Sequence, residues 1–312
     1  MPLDPEARAV VEQTPASTAP VQLSPAQLRA AFAETWQAPA NLEPVGKVYE
    51  RTIPGPVGEL TVRVYQPDGD GPFPALVWFH GGGWVIGTLD ENEATCRVLC
   101  RQANAVVMSV AYRLAPEHRF PAAAEDAYAA LCWIAEHGEE IAADPERIAI
   151  AGESAGGNLA AVASLMARDR GGPRPVLQFL VSPVTAPPAD RKSYVDYAEG
   201  YFFTRASMEW FFEQYPREPD DLHNPYLMPL LADDLSDLPP ALVMTAECEV
   251  LRDEGEEYAH RLLDAGVPCE LVRYPGQIHG FFALLTEQLS ISAVAHRHAS
   301  HALRKAFGTG GL

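Results

Sequence analysis

The chain has 312 residues, 23 basic and 42 acidic side chains, and a formal net charge of −19. Such an acid excess excludes a nucleic-acid surface, which needs clustered Lys and Arg to release counterions, and it disfavours docking on an anionic membrane. With 47% hydrophobic and 21% charged residues, the chain is globular and long enough for one large α/β domain or two smaller ones, and the acid excess reads first as solubility.

The N-terminal stretch MPLDPEARAV has no basic region and no long apolar run, so no secretory signal is expected and the expected location is cytoplasmic. No apolar run approaches the ~20 residues of a membrane span. Cys96, Cys100, Cys132, Cys248 and Cys269 are odd in number and form no C-x-x-C. They read as free, buried thiols in a reducing compartment. Within the first 45 residues one helix signal stands out. Ser24 can cap, Pro25 suits the first helical position, and Gln27 completes a capping box. Leu23 and Leu28 occupy the two staple positions, and Leu28, Phe32 and Trp36 form an apolar stripe.

Two alternating segments, 47–53 and 60–65, flank the turn-rich PGPVGE and predict an antiparallel hairpin. The rhythm then changes. Apolar runs bounded by turn residues come at 75–79, 105–110, 147–151, 176–181, 241–246 and 268–274, with helical patterns between most of them. Continuous apolar strands alternating with helices predict a mostly parallel sheet covered on both faces, with the hairpin at one edge. About 60 residues separate the fourth and fifth of these runs, too many for one crossover helix. Nine of the chain's 28 aromatic residues fall between Tyr194 and Tyr215. That insertion reads as helices with a small core of their own and as a lid over a site at the strand C-termini.

Chemistry concentrates in four places. Gly152-Glu153-Ser154-Ala155-Gly156 is a G-x-S-x-G between an apolar strand and a small-residue helix, the setting of a nucleophile elbow. His80-Gly81-Gly82-Gly83-Trp84 follows the buried strand ALVWF, and its glycine N–H groups can meet a carbonyl oxygen that becomes an oxyanion. His80 itself reads as a residue that orients the loop. Of the nine histidines, His279 stands in YPGQIHGF just past the last predicted strand, with Phe281–Phe282 read as opening a helix. This places it at the same sheet edge as Ser154. His118, His137, His223 and His260 read as surface residues, and the spacings of His296, His298 and His301 do not suit a metal site. A carboxylate is needed between serine and histidine, and Glu247, Glu249, Asp253 and Glu254 crowd the end of the strand at 241–246. Position favours Glu249, whereas Asp253 with Glu256 fits a helix N-cap.

In this order, HGGGW, YRLAPEHRFPAA, GESAGG, VLRDEGEEYA and YPGQIHGF resemble the bacterial hormone-sensitive-lipase-like carboxylesterases of the α/β-hydrolase superfamily, over roughly residues 40 to 310. The resemblance implies an α/β-hydrolase fold: a mostly parallel central sheet flanked by helices, with an N-terminal antiparallel hairpin and a helical cap. It divides the chain into N-terminal helices contributing to the cap (1–45), a first part of the core (46–185), a helical cap insertion (186–236) and a second part of the core (237–312). It implies serine ester hydrolysis with no metal and no cofactor. Ser154 is then the nucleophile, His279 the base and Glu249 the triad acid. Gly82, Gly83 and Ala155 supply the oxyanion hole, and Gly81 shapes its loop. The family usually has Asp-Pro-Leu-x-Asp where this chain has Glu249-Val250-Leu251-Arg252-Asp253, which keeps Asp253 as the second candidate. Arg113 and Glu117 in the YRLAPEH segment read as a structural ion pair, and Glu153 as a buttress for the cap or substrate loops. The partner expected is a small neutral ester, with no nucleic acid and no membrane, and a homodimer through the sheet edge by analogy. Two alternatives stay open: an amidase or lactonase on the same fold, and a non-catalytic small-molecule-binding protein.

Overall fold

The structure, a computed structural model, describes residues 3–14 and 23–310. The sequence-based N-terminal cap segment 1–45 therefore lies partly outside the described residues. One eight-stranded sheet organises the chain, in the order β1-β2-β4-β3-β5-β6-β7-β8. Strands β1 (Lys47–Pro54) and β2 (Glu59–Gln66) form the expected hairpin, and β2 also runs antiparallel to β4 (Val106–Val110). From there β3 (Phe73–Phe79), β5 (Ala143–Glu153), β6 (Leu177–Val181), β7 (Ala241–Cys248) and β8 (Cys269–Ile278) are all parallel to their neighbours.

The period of two explains why the sheet carries two cores. In β3, Ala75, Val77 and Phe79 join one core, while Leu76 and Trp78 join the other. Every residue of β3 and β4 is buried because both faces are covered. Those covers are α3 (Glu93–Ala103), α4 (Ala122–His137), α5 (Ala155–Asp169), α8 (Arg252–Asp264) and α9 (Ile291–Ala306). Helix α5 is buried from Ala155 to Ala167, which its run of Gly, Ala and Ser permits by letting neighbours approach closely.

Before the sheet come α1 (Pro5–Gln13) and α2 (Pro25–Thr35). The α2 capping box forms as expected, with Ser24 and Gln27 satisfying each other's backbone N–H. The staple does not: Leu23 is 37% exposed, and only Leu28 of that pair is buried. Burying Leu28 contributes about 2 kcal/mol. Helix α1 falls among the N-terminal helices that the resemblance implies, although no local signal for it was read. Asp4 caps it, Pro5 opens it, and the Asp4 N–H donates to the Gly276 carbonyl at the end of β8.

Between β6 and β7 the insertion folds as α6 (Lys192–Asp196), α7 (Arg205–Gln214) and 3-10 turns at Pro219–His223 and Pro229–Leu231. Three local expectations are corrected. Arg113 pairs with Asp126 and Glu117 with Arg29, because Asp126 projects from the first turns of α4 toward Arg113 while α2 brings Arg29 to Glu117. Asp253 does not cap its own helix, since α8 starts at Arg252 and Asp253 already lies inside it. Its carboxylate accepts the Ser193 N–H at the start of α6 instead. Phe281–Phe282 open turns rather than a helix, and α9 begins only at Ile291.

Candidate active site

The strand ends place the polar residues. Ser154 is the first residue after β5, Ser182 after β6, Glu249 after β7, His279 after β8 and His80 after β3. These five strands are parallel neighbours, so their C-termini share one edge, where the side chains of Ser154, Ser182, Glu249 and His279 meet. No two of the five are close in sequence.

Ser154 has φ 59° and ψ −120°, a strained setting for a residue with a Cβ. Its N–H donates to the Val181 carbonyl, and α5 departs at once. The flanking glycines are required by crowding. A Cβ on Gly156 would lie 2.0 Å from the Phe79 carbonyl oxygen, and one on Gly152 would lie 2.3 Å from the Gly156 carbonyl carbon.

His279 Nε2 lies 3.1 Å from Ser154 Oγ, and His279 Nδ1 lies 2.6 Å from Glu249 Oε2. Glu249 is fully buried, while Ser154 and His279 are 6% and 7% exposed. The other oxygen of Glu249 accepts the Ser182 hydroxyl and the Ala246 N–H, both at 2.8 Å. That carboxylate is thus held on three sides and cannot rotate away from the imidazole. Burial pushes the His279 imidazole down, but the hydrogen bond and charge of Glu249, with the charge of Glu153, outweigh it and leave His279 above its ordinary value of 6.5. Asp253 faces Ser193 and Arg252, away from this chain of bonds. Glu247 accepts the Gly276 N–H, and Glu254 accepts the Thr185 and Ala186 N–H groups. Of the four acids at the end of β7, only Glu249 reaches the histidine.

The glycine loop after β3 turns on Gly82 and Gly83, at φ 111° and 58°. The Gly82 carbonyl accepts the Val85 and Ile86 N–H groups. Among the described residues, no protein acceptor takes the N–H of Gly82, Gly83 or Ala155. His80 is turned into its own loop. It is 1% exposed, its Nδ1 lies 2.7 Å from the Gly81 carbonyl oxygen, and its ring stacks on Tyr112 at 4.3 Å. Burial pushes it down to about 4, so it is neutral and holds the loop.

Sequence reasoning missed Ser182, which only the β6–β7 pairing brings to Glu249. It also missed Arg29 of α2. Arg29 donates to the Val85 and Ala115 carbonyls at 2.8 and 2.6 Å and grips Glu117 with two bonds, so it pins α2 to the glycine loop. No local signal marks either residue. The aromatic insertion lies directly over these groups. The Phe203 ring stacks on His279 at 4.6 Å, Phe211 lies so close to Gly83 that a Cβ there would stand 2.3 Å from its ring, and Trp84 stacks on Tyr215 at 4.4 Å.

Among the described residues, no group of three or more His, Cys, Asp or Glu is arranged to hold a metal ion, and no helix is long and apolar enough to cross a membrane. Residues 76–283 match the family described as alpha/beta hydrolase fold. The chain is 49% identical to the carboxylic ester hydrolase LipN of Mycobacterium tuberculosis over 244 residues, covering 76% of this chain and 65% of that one. It is 42% identical to carboxylesterase NlhH of the same species over 257 residues, covering 80% of each. Among solved structures, an ester hydrolase from the Lake Arreo metagenome, complexed with a derivative of bipyridine phosphonate, superposes with a TM-score of 0.92 at 40% identity, over 98% of this chain and all of that one.

Proposed function

The chain belongs to the alpha/beta hydrolase fold family, in its hormone-sensitive-lipase-like branch, and on that premise we propose that it is a carboxylic ester hydrolase with Ser154 as nucleophile, His279 as base and Glu249 as the acid of the triad. One observation carries this reading: the unbroken chain from Ser154 Oγ through His279 to Glu249, at 3.1 and 2.6 Å, beside three backbone N–H groups with no protein acceptor.

His279 Nε2 takes the Ser154 proton as Oγ adds to the ester carbonyl. The carbonyl oxygen becomes an oxyanion held by the N–H groups of Gly82, Gly83 and Ala155. Imidazolium then returns the proton to the departing alcohol. Water, deprotonated by His279, cleaves the acyl-enzyme to free acid and serine. Glu249 keeps the proton of neutral His279 on Nδ1, so that Nε2 is free to accept, and it stabilises the imidazolium.

Helices α1 and α2 together with residues 186–236 act as a cap in this reading. Phe203 and Phe211 press apolar rings over the triad and the glycine loop, which suits a small neutral ester of short to medium chain. The five free thiols fit a reducing, cytoplasmic setting. Among the described residues, strand β8 pairs only with β7, and its outer edge suits a homodimer.

Hydrolysis of p-nitrophenyl butyrate, lost in Ser154→Ala, is the expected result. Full turnover by Ser154→Ala ends the proposal. An ester assay beside the matching anilide separates esterase from amidase, and binding without turnover would favour the non-catalytic alternative.

A further inference from the structure

Glu153 stands directly before Ser154 and takes no part in the relay described above. It is 4% exposed, and its Oε1 accepts the N–H groups of Phe282 and Ala283, each at 3.3 Å. These amides follow His279 by three and four residues. The same turn is fixed at its other polar atoms. Ser292 Oγ donates to the Phe281 carbonyl at 2.6 Å, and His296 Nε2 donates to the Phe282 carbonyl at 2.7 Å. The Phe282 ring packs on Trp78 and Phe179. The segment carrying His279 is therefore clamped, and one arm of the clamp comes from the strand that carries the nucleophile.

An amide side chain could accept both N–H groups without the cost of burying an ionisable acid. What a carboxyl adds is charge. The ionisable groups acting on Glu153 are His279 and Glu249, with His296 across the Phe282 peptide. We propose that Glu153 is a positioning residue for His279: it ties the Ser154 strand to the His279 turn through the Phe282 and Ala283 amides, and its carboxylate supplements Glu249 in stabilising the imidazolium. This rests on the esterase reading. Burial pushes the Glu153 carboxyl up to about 7, against the opposing pull of His279 and the two amides, so its charge changes in the range where a catalytic histidine works.

The test is the pH profile of kcat/KM for p-nitrophenyl butyrate in three variants. Glu153→Gln keeps an acceptor and removes the charge, so the acidic limb moves to lower pH by about half a unit or more. Glu153→Asp restores the charge and returns the limb toward the wild-type position. Glu153→Ala also loses the clamp, and its kcat falls a further tenfold or so below that of Glu153→Gln, with KM little changed. A wild-type limb in Glu153→Gln overturns the charge role, and equal kcat in the Gln and Ala variants overturns the clamp. Should the Ala variant not fold, the Gln and Asp pair still decides the charge role. Absence of ester turnover in the wild-type protein would instead mark failure of the esterase reading.

Discussion

Replacing Glu249 by Gln changes one atom of the proposed triad, and the surroundings dictate which way the new amide faces. The Ala246 N–H points at Oε1 from 2.8 Å and cannot rotate, so an NH2 placed there would set donor against donor. The Ser182 hydroxyl points at the same oxygen from 2.8 Å. The amide oxygen must therefore take the Oε1 position, and the NH2 must face His279 Nδ1. Nδ1 is then forced to accept, the imidazole proton moves to Nε2, and Nε2 can no longer take the Ser154 proton. In serine triads, fixing the wrong tautomer with the geometry kept intact costs about 10⁴ in kcat, or about 5 kcal/mol of activation free energy. Steady-state hydrolysis of p-nitrophenyl butyrate by Glu249→Gln should show that loss with KM little changed and the thermal midpoint near wild type. Glu249→Asp keeps the charge but withdraws the carboxylate by one methylene, and should lose about 10². A Glu249→Gln enzyme within tenfold of wild type would refute the tautomer argument.

Particular contacts set the outcome at four further positions. Gly83→Ala drives a Cβ into the Phe211 ring at 2.3 Å and displaces an oxyanion donor, so kcat should fall about 10² to 10³. Adding Phe211→Ala should restore part of it, and no restoration would argue against the clash. Asp253→Ala loses the bond to the Ser193 N–H and should cost about 1 kcal/mol of stability, read by denaturant titration, with kcat unchanged. Burial raises the Asp253 carboxyl, but Ser193 and Arg252 outweigh it and hold it below 3.8. Its contribution is therefore full at neutral pH and is lost as pH falls through that depressed value, and the variant and wild type should converge in acid. Arg29→Ala frees the Val85 and Ala115 carbonyls and should lower kcat about tenfold. Glu117→Gln breaks only a half-exposed ion pair and should change kcat by about threefold or less.

Most of the fold was legible because its strands are continuous apolar runs punctuated by turns, a signal that depends only on neighbours in sequence. The boundaries were less so. Strand β8 runs on to Ile278, across a register shift at Pro275 and Gly276, because Cys248 of β7 pairs with Ile278 and local propensity does not decide the matter. Ser154 and the glycine loop were legible for a related reason, since each is a compact motif attached to one strand. Glu249 was favoured among four acids by position and by the family resemblance, and the distance to His279 separates it from the other three. Ser182 and Arg29 left no trace, because their partners stand 67 and 88 residues away. The bounds of helix α1 went unread although Asp4 and Pro5 are an ordinary helix start, since its apolar face is short and only Ala7 is fully buried.

The central claim is that Ser154 forms a covalent acyl-enzyme. Incubation with an organophosphate, followed by mass analysis of the digested protein, tests it most directly. One adduct per chain is expected, located on the peptide containing Ser154, appearing in step with loss of ester turnover and absent from Ser154→Ala. Stoichiometric labelling at another residue, or complete inactivation with Ser154 unmodified, would contradict it.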